Sequence, residues 1–209
     1  MTLRTTTTKR GTPAERILKV ADKLFYQDGI RAVGVDRLIA ESGVAKASFY
    51  RAFPSKDDLV AAWLDLRDQH WRAWLQTSIE QLAPRAQDKP LAVFDALDAR
   101  FRQSTFRGCA FINTITELAR LDHPGALAAR RHKESVRTLL ASLLKDAGYK
   151  DFDSLAVIFL QLIDGAIVAA VREGKPDAAL RAKQLAELVL AAQPKKTDRK
   201  STRLNSSHQ

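Results

Sequence analysis

Apolar residues recur along this chain at intervals of three and four, interrupted by prolines and glycines, and no stretch shows the alternation of period two that a half-buried strand requires. The pattern predicts an all-α fold of about nine helices. Pro13 opens a first helix with an inner face of Ile17, Val20, Ala21, Leu24 and Phe25, and Gly29 closes it. Val35, Leu38 and Ile39 mark a short second helix ending at Ser42, after which Gly43 supplies the permissive backbone of a tight turn. A third helix is expected over Ala45 to Phe53, with Phe49 and Phe53 four apart on one face and Lys46, Ala47, Ser48, Tyr50 and Arg51 around the others. Pro54 disfavours helical geometry at Phe53, and Ser55 with Asp58 forms a capping signal that opens a fourth helix reaching about Ala83.

Pro84 to Lys89 breaks the pattern. Helix five is expected from Pro90 to Ser104 and helix six around Ala110 to Ala119, after the Phe106-Arg107-Gly108 turn. Pro124 opens helix seven, whose face of Leu127, Val136, Leu139, Leu140, Leu143 and Leu144 ends at Gly148. Phe152 to Glu173 and Asp177 to Ala192 give helices eight and nine, separated by Gly174 and Pro176. Helix eight is apolar nearly all round, so it needs cover on two sides, and a second subunit is the natural second cover. The expected isologous interface takes Leu155, Phe159, Leu162, Gly165, Ala166 and Ala169 from helix eight with Leu185, Leu188 and Val189 from helix nine. A larger monomeric core is the alternative. Gln161, Asp164 and Gly165 interrupt the run from Leu155 to Val171, which is expected to fall short of a membrane span.

Charge sharpens the picture at one end. Residues 1–56 hold eleven Lys and Arg against five Asp and Glu, a surplus of six within a formal net charge of +10 for the 209-residue chain. A basic end suits phosphate binding and equally suits a merely soluble surface, so charge alone does not decide. Residues 1–12 read as a flexible basic arm. Residues 198–209, DRKSTRLNSSHQ, lack apolar periodicity and resemble the translation of a sequencing adapter, which leaves 194–209 as a disordered tail without function.

The stretch VDRLIAESGVAKASFYRAFPSKDDL, Val35 to Leu59, decides between those readings. It resembles the DNA-binding domain of the TetR family of bacterial transcriptional regulators, whose usual run IA...GVSKGTLYxHFxSKxxL lies over LIAESGVAKASFYRAFPSKDDL. The resemblance implies a DNA-binding domain over residues 13–55 and a ligand-binding and dimerisation domain over 56–193. It further implies a cytoplasmic homodimeric repressor on a palindromic double-stranded operator, released by a small-molecule effector. A DNA-binding architectural protein without ligand control is the alternative. By resemblance, Lys46, Ala47 and Ser48 meet bases while Tyr50 and Lys56 meet phosphates. The chemistry agrees, since Lys46 can donate to guanine O6 and N7, and the Ala47 methyl can meet a thymine methyl. Arg51 can do either, and Arg37 is as well suited to a solvated surface as to a phosphate. Gly34, Val35 and Ala52 depart from the family's usual phosphate-gripping residues.

The rest of the chain carries weaker signals. Trp71, Phe94, Phe101, Phe106, Cys109, Phe111, Asn113 and Glu117 could line an apolar effector pocket with few polar anchors, each aromatic being equally suited to plain core packing. Cys109 beside Arg107 is either a reactive thiol or an inert buried one, and as the single cysteine it fits a reducing compartment. His70, His123 and His132 show no metal-ligand spacing. No phosphate loop and no catalytic constellation is present, so no cofactor and no enzymatic activity are expected.

Overall fold

A computed structural model of the protein describes residues 11–193; the basic arm over 1–10 and the tail from 194 onward lie outside the described residues. Nine α-helices occur among the described residues and no strand. They are α1 (Pro13–Asp28), α2 (Val35–Ser42), α3 (Lys46–Ala52), α4 (Lys56–Leu82), α5 (Lys89–Phe101), α6 (Ala110–Leu118), α7 (Pro124–Asp146), α8 (Phe152–Glu173) and α9 (Ala178–Ala191), with a single 3₁₀ turn at Ala86–Asp88. The fold is all-α, as the periodicity implies. The main departure is α5, which stops at Phe101.

Local chemistry explains the boundaries. Thr12 caps α1 through a reciprocal box in which its hydroxyl accepts from the Glu15 N–H at 3.2 Å and the Glu15 carboxylate accepts from the Thr12 N–H at 2.8 Å. Thr12 is thus the cap of α1 and not part of the arm expected over residues 1–12, as the Thr-x-x-Glu spacing itself implies. Ser55 and Asp58 form the same reciprocal pair at the start of α4, at 3.1 Å and 3.0 Å. Gly43 takes the left-handed conformation, with φ of 61°, that the turn between α2 and α3 requires.

The described chain forms two compact units. The first holds residues up to 72 together with 107–133; the second holds 73–106 and the residues from 134. Segments 56–72 and 107–133, expected from the sequence in the second domain, therefore pack with α1, α2 and α3. The first unit closes around Ile17, Leu24, Leu38, Phe49, Leu59 and Trp63, joined by Phe111 and Leu118 of α6 and Ala129 of α7. In the second unit α9 lies against α5 and α8 through Ala178, Ala179, Ala182 and Ala186, small side chains that permit close helix approach. Phe94 of α5 meets Phe159 of α8 at 5.6 Å between ring centres, and Lys183 of α9 pairs with Asp95 of α5 at 2.7 Å.

The expected cover of α8 needs correction on two counts. By length and composition its 22 residues suffice to cross a membrane, contrary to the expectation that the run falls short. Packing distinguishes its faces: Leu155, Phe159, Ile163, Ala166 and Ala170 are buried in the unit's own core. Leu155, Phe159 and Ala166 are thereby removed from the set available to a partner. The outward face instead carries Val157, Val168 and Val171, and α9 exposes Leu185 and Leu188 at 52% and 68%. Gly165 is also on the surface, with open space where a Cβ would stand, while Leu162, Ala169 and Val189 are half-buried.

Candidate nucleic-acid interface

Helix α3 is short and stiffly mounted. Phe49 is fully buried and Phe53 nearly so, their rings 6.5 Å apart, so α3 is anchored along one side to the core of the first unit. The opposite side presents Lys46, Ala47, Tyr50 and Arg51 to solvent, with Ser48 half-buried between the faces. This amphipathic division follows from the four-residue spacing of the phenylalanines. Lys56 is half-buried at the start of α4; burial pushes its ammonium below the ordinary lysine value, and the Glu117 and Asp57 carboxylates pull it back up.

Two supports under α3 were not legible as such in the sequence. Arg16 of α1 reaches across the turn and donates to the carbonyls of Ser42 and Gly43, satisfying acceptors that the C-terminus of α2 leaves open. Asp22 accepts from the Trp63 indole Nε1–H at 2.8 Å and from Arg67, whose guanidinium lies 4.0 Å above the Tyr26 ring. These contacts fasten α1 to the first half of α4.

Arg37 is already engaged. Its guanidinium pairs with Asp28 and with Glu41, each at 2.8 Å, and those bonds raise its basicity further. A phosphate would have to compete with two carboxylates, which favours the solvated-surface reading of this residue.

The residues expected to line a pocket fall into both units. Phe94, Phe101 and Phe106 belong to the second, where the rings of Phe101 and Phe106 meet tilted at 4.7 Å between centres and Phe94 packs on Phe159. Trp71, Cys109, Phe111, Asn113 and Glu117 belong to the first. There Asn113 donates to the Arg107 carbonyl at 3.1 Å, Cys109 is half-buried, and Glu117 accepts two backbone amides of the corner after α1. Phe111 lies flat against His132, 3.6 Å between ring centres, and Trp71 meets the same imidazole edge-on at 5.0 Å. His132 donates its Nδ1–H to Asp68 at 2.7 Å, and burial pushes it down to about 4 against the opposing pull of that carboxylate. It is a neutral packing residue at physiological pH. The second unit has its own groove of about 200 Å³ between α4 and α5, floored by Ala96 and Ala99 and walled by Trp74, Leu82 and Arg100. None of the expected pocket residues lines it.

Comparison with known proteins agrees with this architecture. The family described as bacterial regulatory proteins, tetR family, matches residues 17–63, which span α1 to the first turns of α4. A crystal structure of a TetR-family transcriptional regulator from Streptomyces coelicolor is 33% identical, covers 86% of this chain and 95% of its own, and superposes with a TM-score of 0.77. The chain belongs to the TetR family. As a TetR-family member it is a DNA-binding transcriptional regulator with an N-terminal helix-turn-helix head and a further helical domain. A second TetR regulator, from Streptomyces avermitilis, is 30% identical over 87% of this chain and 98% of its own, with a TM-score of 0.76. Among characterised relatives, the repressor NemR of Escherichia coli is 27% identical over 136 residues, 63% of this chain and 67% of its own.

Proposed function

We propose that this TetR-family chain is a cytoplasmic homodimeric repressor that holds a palindromic operator through the exposed side of α3 and is released by a small-molecule effector. The observation that carries the reading is the division of α3. Its phenylalanines lock it to the core while Lys46, Ala47, Tyr50 and Arg51 stand free to enter a major groove. Lys46 and Ala47 supply a donor and a methyl for base edges, and Tyr50 and Lys56 supply phosphate contacts that set register.

Two further features support the dimer and the sense of regulation. Val157, Val168 and Val171 on α8 and Leu185 and Leu188 on α9 are large apolar side chains left exposed, and a two-fold partner would cover them with their own counterparts. NemR, a relative by sequence, is named a transcriptional repressor. An effector acts by preferring a dimer whose reading helices stand at the wrong separation, which is a coupling between two sites.

Selection of bound duplexes from a random DNA pool tests the reading. A palindrome with half-sites one helical turn apart, about 34 to 36 Å, is the expected outcome. Enrichment of nothing beyond salt-sensitive, sequence-independent binding sinks it and favours an architectural role.

A further inference from the structure

The corner between α1 and α2 is held from a distance. Gly34, the residue that precedes α2, offers no side chain to cap it, and the corner contains no acid or hydroxyl of its own. Instead the two oxygens of one downstream carboxylate take successive backbone amides: Glu117 Oε2 accepts from the Ile30 N–H at 3.0 Å and Oε1 from the Arg31 N–H at 2.5 Å. Arg31 answers by donating from its guanidinium to the Leu118 carbonyl at 3.3 Å, one of the acceptors that the C-terminal turn of α6 leaves open. The corner is shaped for this contact. Gly29 has φ of +89°, and a Cβ there would stand 3.2 Å from Glu117 Oε1, so a glycine admits the carboxylate where another residue would be strained and crowded.

The other end of α6 is tied to the last turn of α1. The Tyr26 hydroxyl accepts from the Arg107 N–H and donates to the Gly108 carbonyl, both at 2.9 Å, just before α6 begins. Between the two ties Ala110, Phe111 and Leu118 are buried in the core that also holds Leu38 and Phe49. Helix α6 is thus fixed at both ends, against the last turn of α1 and the corner that follows it. Only three residues separate Arg31 from the first residue of α2, and α3 follows across one tight turn, so the direction in which α3 points is set by how the chain leaves this corner.

We propose that Glu117 is a positioning residue for DNA reading: without touching DNA, it fixes the Ile30 and Arg31 corner from which α2 and α3 are aimed. A charge-assisted pair of hydrogen bonds to adjacent amides is stiff and directional, and displacement of a reading helix by about an ångström is enough to spoil base contacts while phosphate contacts adapt. This role goes beyond the family's helix-turn-helix, because the residue lies outside the matched segment 17–63.

The test uses the full chain with Glu117→Gln, which keeps the side chain's shape but turns an amide NH₂ toward one of the two N–H donors. The binding probes are a duplex selected by the wild-type protein and a scrambled duplex of equal length. E117Q is expected to weaken the selected duplex about tenfold or more, as the loss of one charge-assisted bond implies. Binding to the scrambled duplex, set by phosphate charge, should stay within about twofold. Hydrogen exchange should quicken at the Ile30 and Arg31 amides ahead of those in α2. Thr116→Ala at the adjacent, exposed position of α6 should leave every readout unchanged. Glu117→Asp, which keeps the charge but withdraws it from the amides, should show the same split between duplexes and serves if E117Q does not fold. An equal loss on both duplexes, or unchanged selected-duplex affinity in a folded variant whose corner exchanges faster, overturns the proposal.

Discussion

In the proposed function, a single lysine and a single tyrosine on α3 divide the work of recognition. Lys46→Ala should relax preference at one position in each half-site at a cost of about 1 to 3 kcal/mol, whereas Tyr50→Phe should weaken all sequences alike. Repeating the duplex selection with each variant checks this, and an unchanged profile for Lys46→Ala refutes the base-reading role. His132 makes a prediction of a different kind. Its neutral form is favoured in the fold, where it titrates near 4, and the unfolded chain takes up the proton near 6.5. Stability from this residue is therefore complete above pH 6.5 and is lost as pH falls from 6.5 toward 4, by roughly 3 kcal/mol in all. Denaturant midpoints measured from pH 7 to 4.5 should fall steeply in the wild type. In a His132→Gln variant the fall should be shallower, and equal slopes would refute the assignment.

Helix starts and stops were largely readable from the residues that make them. Proline, glycine and the Ser-x-x-Asp signal act within one turn, so the limits of α2, α3 and α8 lie within a residue of those the spacing implies. Thr12 belongs to the same local chemistry, and Thr12→Ala should lower stability by about 1 kcal/mol, checked by thermal unfolding. What could not be read is chemistry between elements distant in sequence. Glu117 finds its amides 86 and 87 residues away, and His132 finds Asp68 64 residues away, so no window along the chain shows either pairing. The sequence offers Glu117 only as one of several possible pocket residues, and the structure sets it against the Ile30 and Arg31 amides. Helix α8 shows the same limit from the other side: nearly uniform apolarity says that both faces want cover but not which face the protomer keeps. Leu155, Phe159 and Ala166 proved to be inner residues because α5 and α9 lie on their side.

For the whole molecule, the exposed apolar side chains of α8 and α9 predict how assembly can be broken without unfolding. Leu188→Glu, at the most exposed position of α9's apolar residues, should leave the protomer's helicity intact and shift sedimentation from dimer to monomer. A monomer by every measure in the wild type would overturn the proposed assembly. The division into two units carries a different consequence. Because the first unit is built from residues up to 72 and from 107–133, its core is not finished when the helix-turn-helix has been synthesised. During translation the nascent head waits, with the seats of Phe111, Leu118 and Ala129 empty, until the chain has been made as far as Ala129. A ribosome that stalls before residue 133 thus leaves a DNA-reading helix without its footing, and the chain acquires its grip on the genome only after more than half of it has been made.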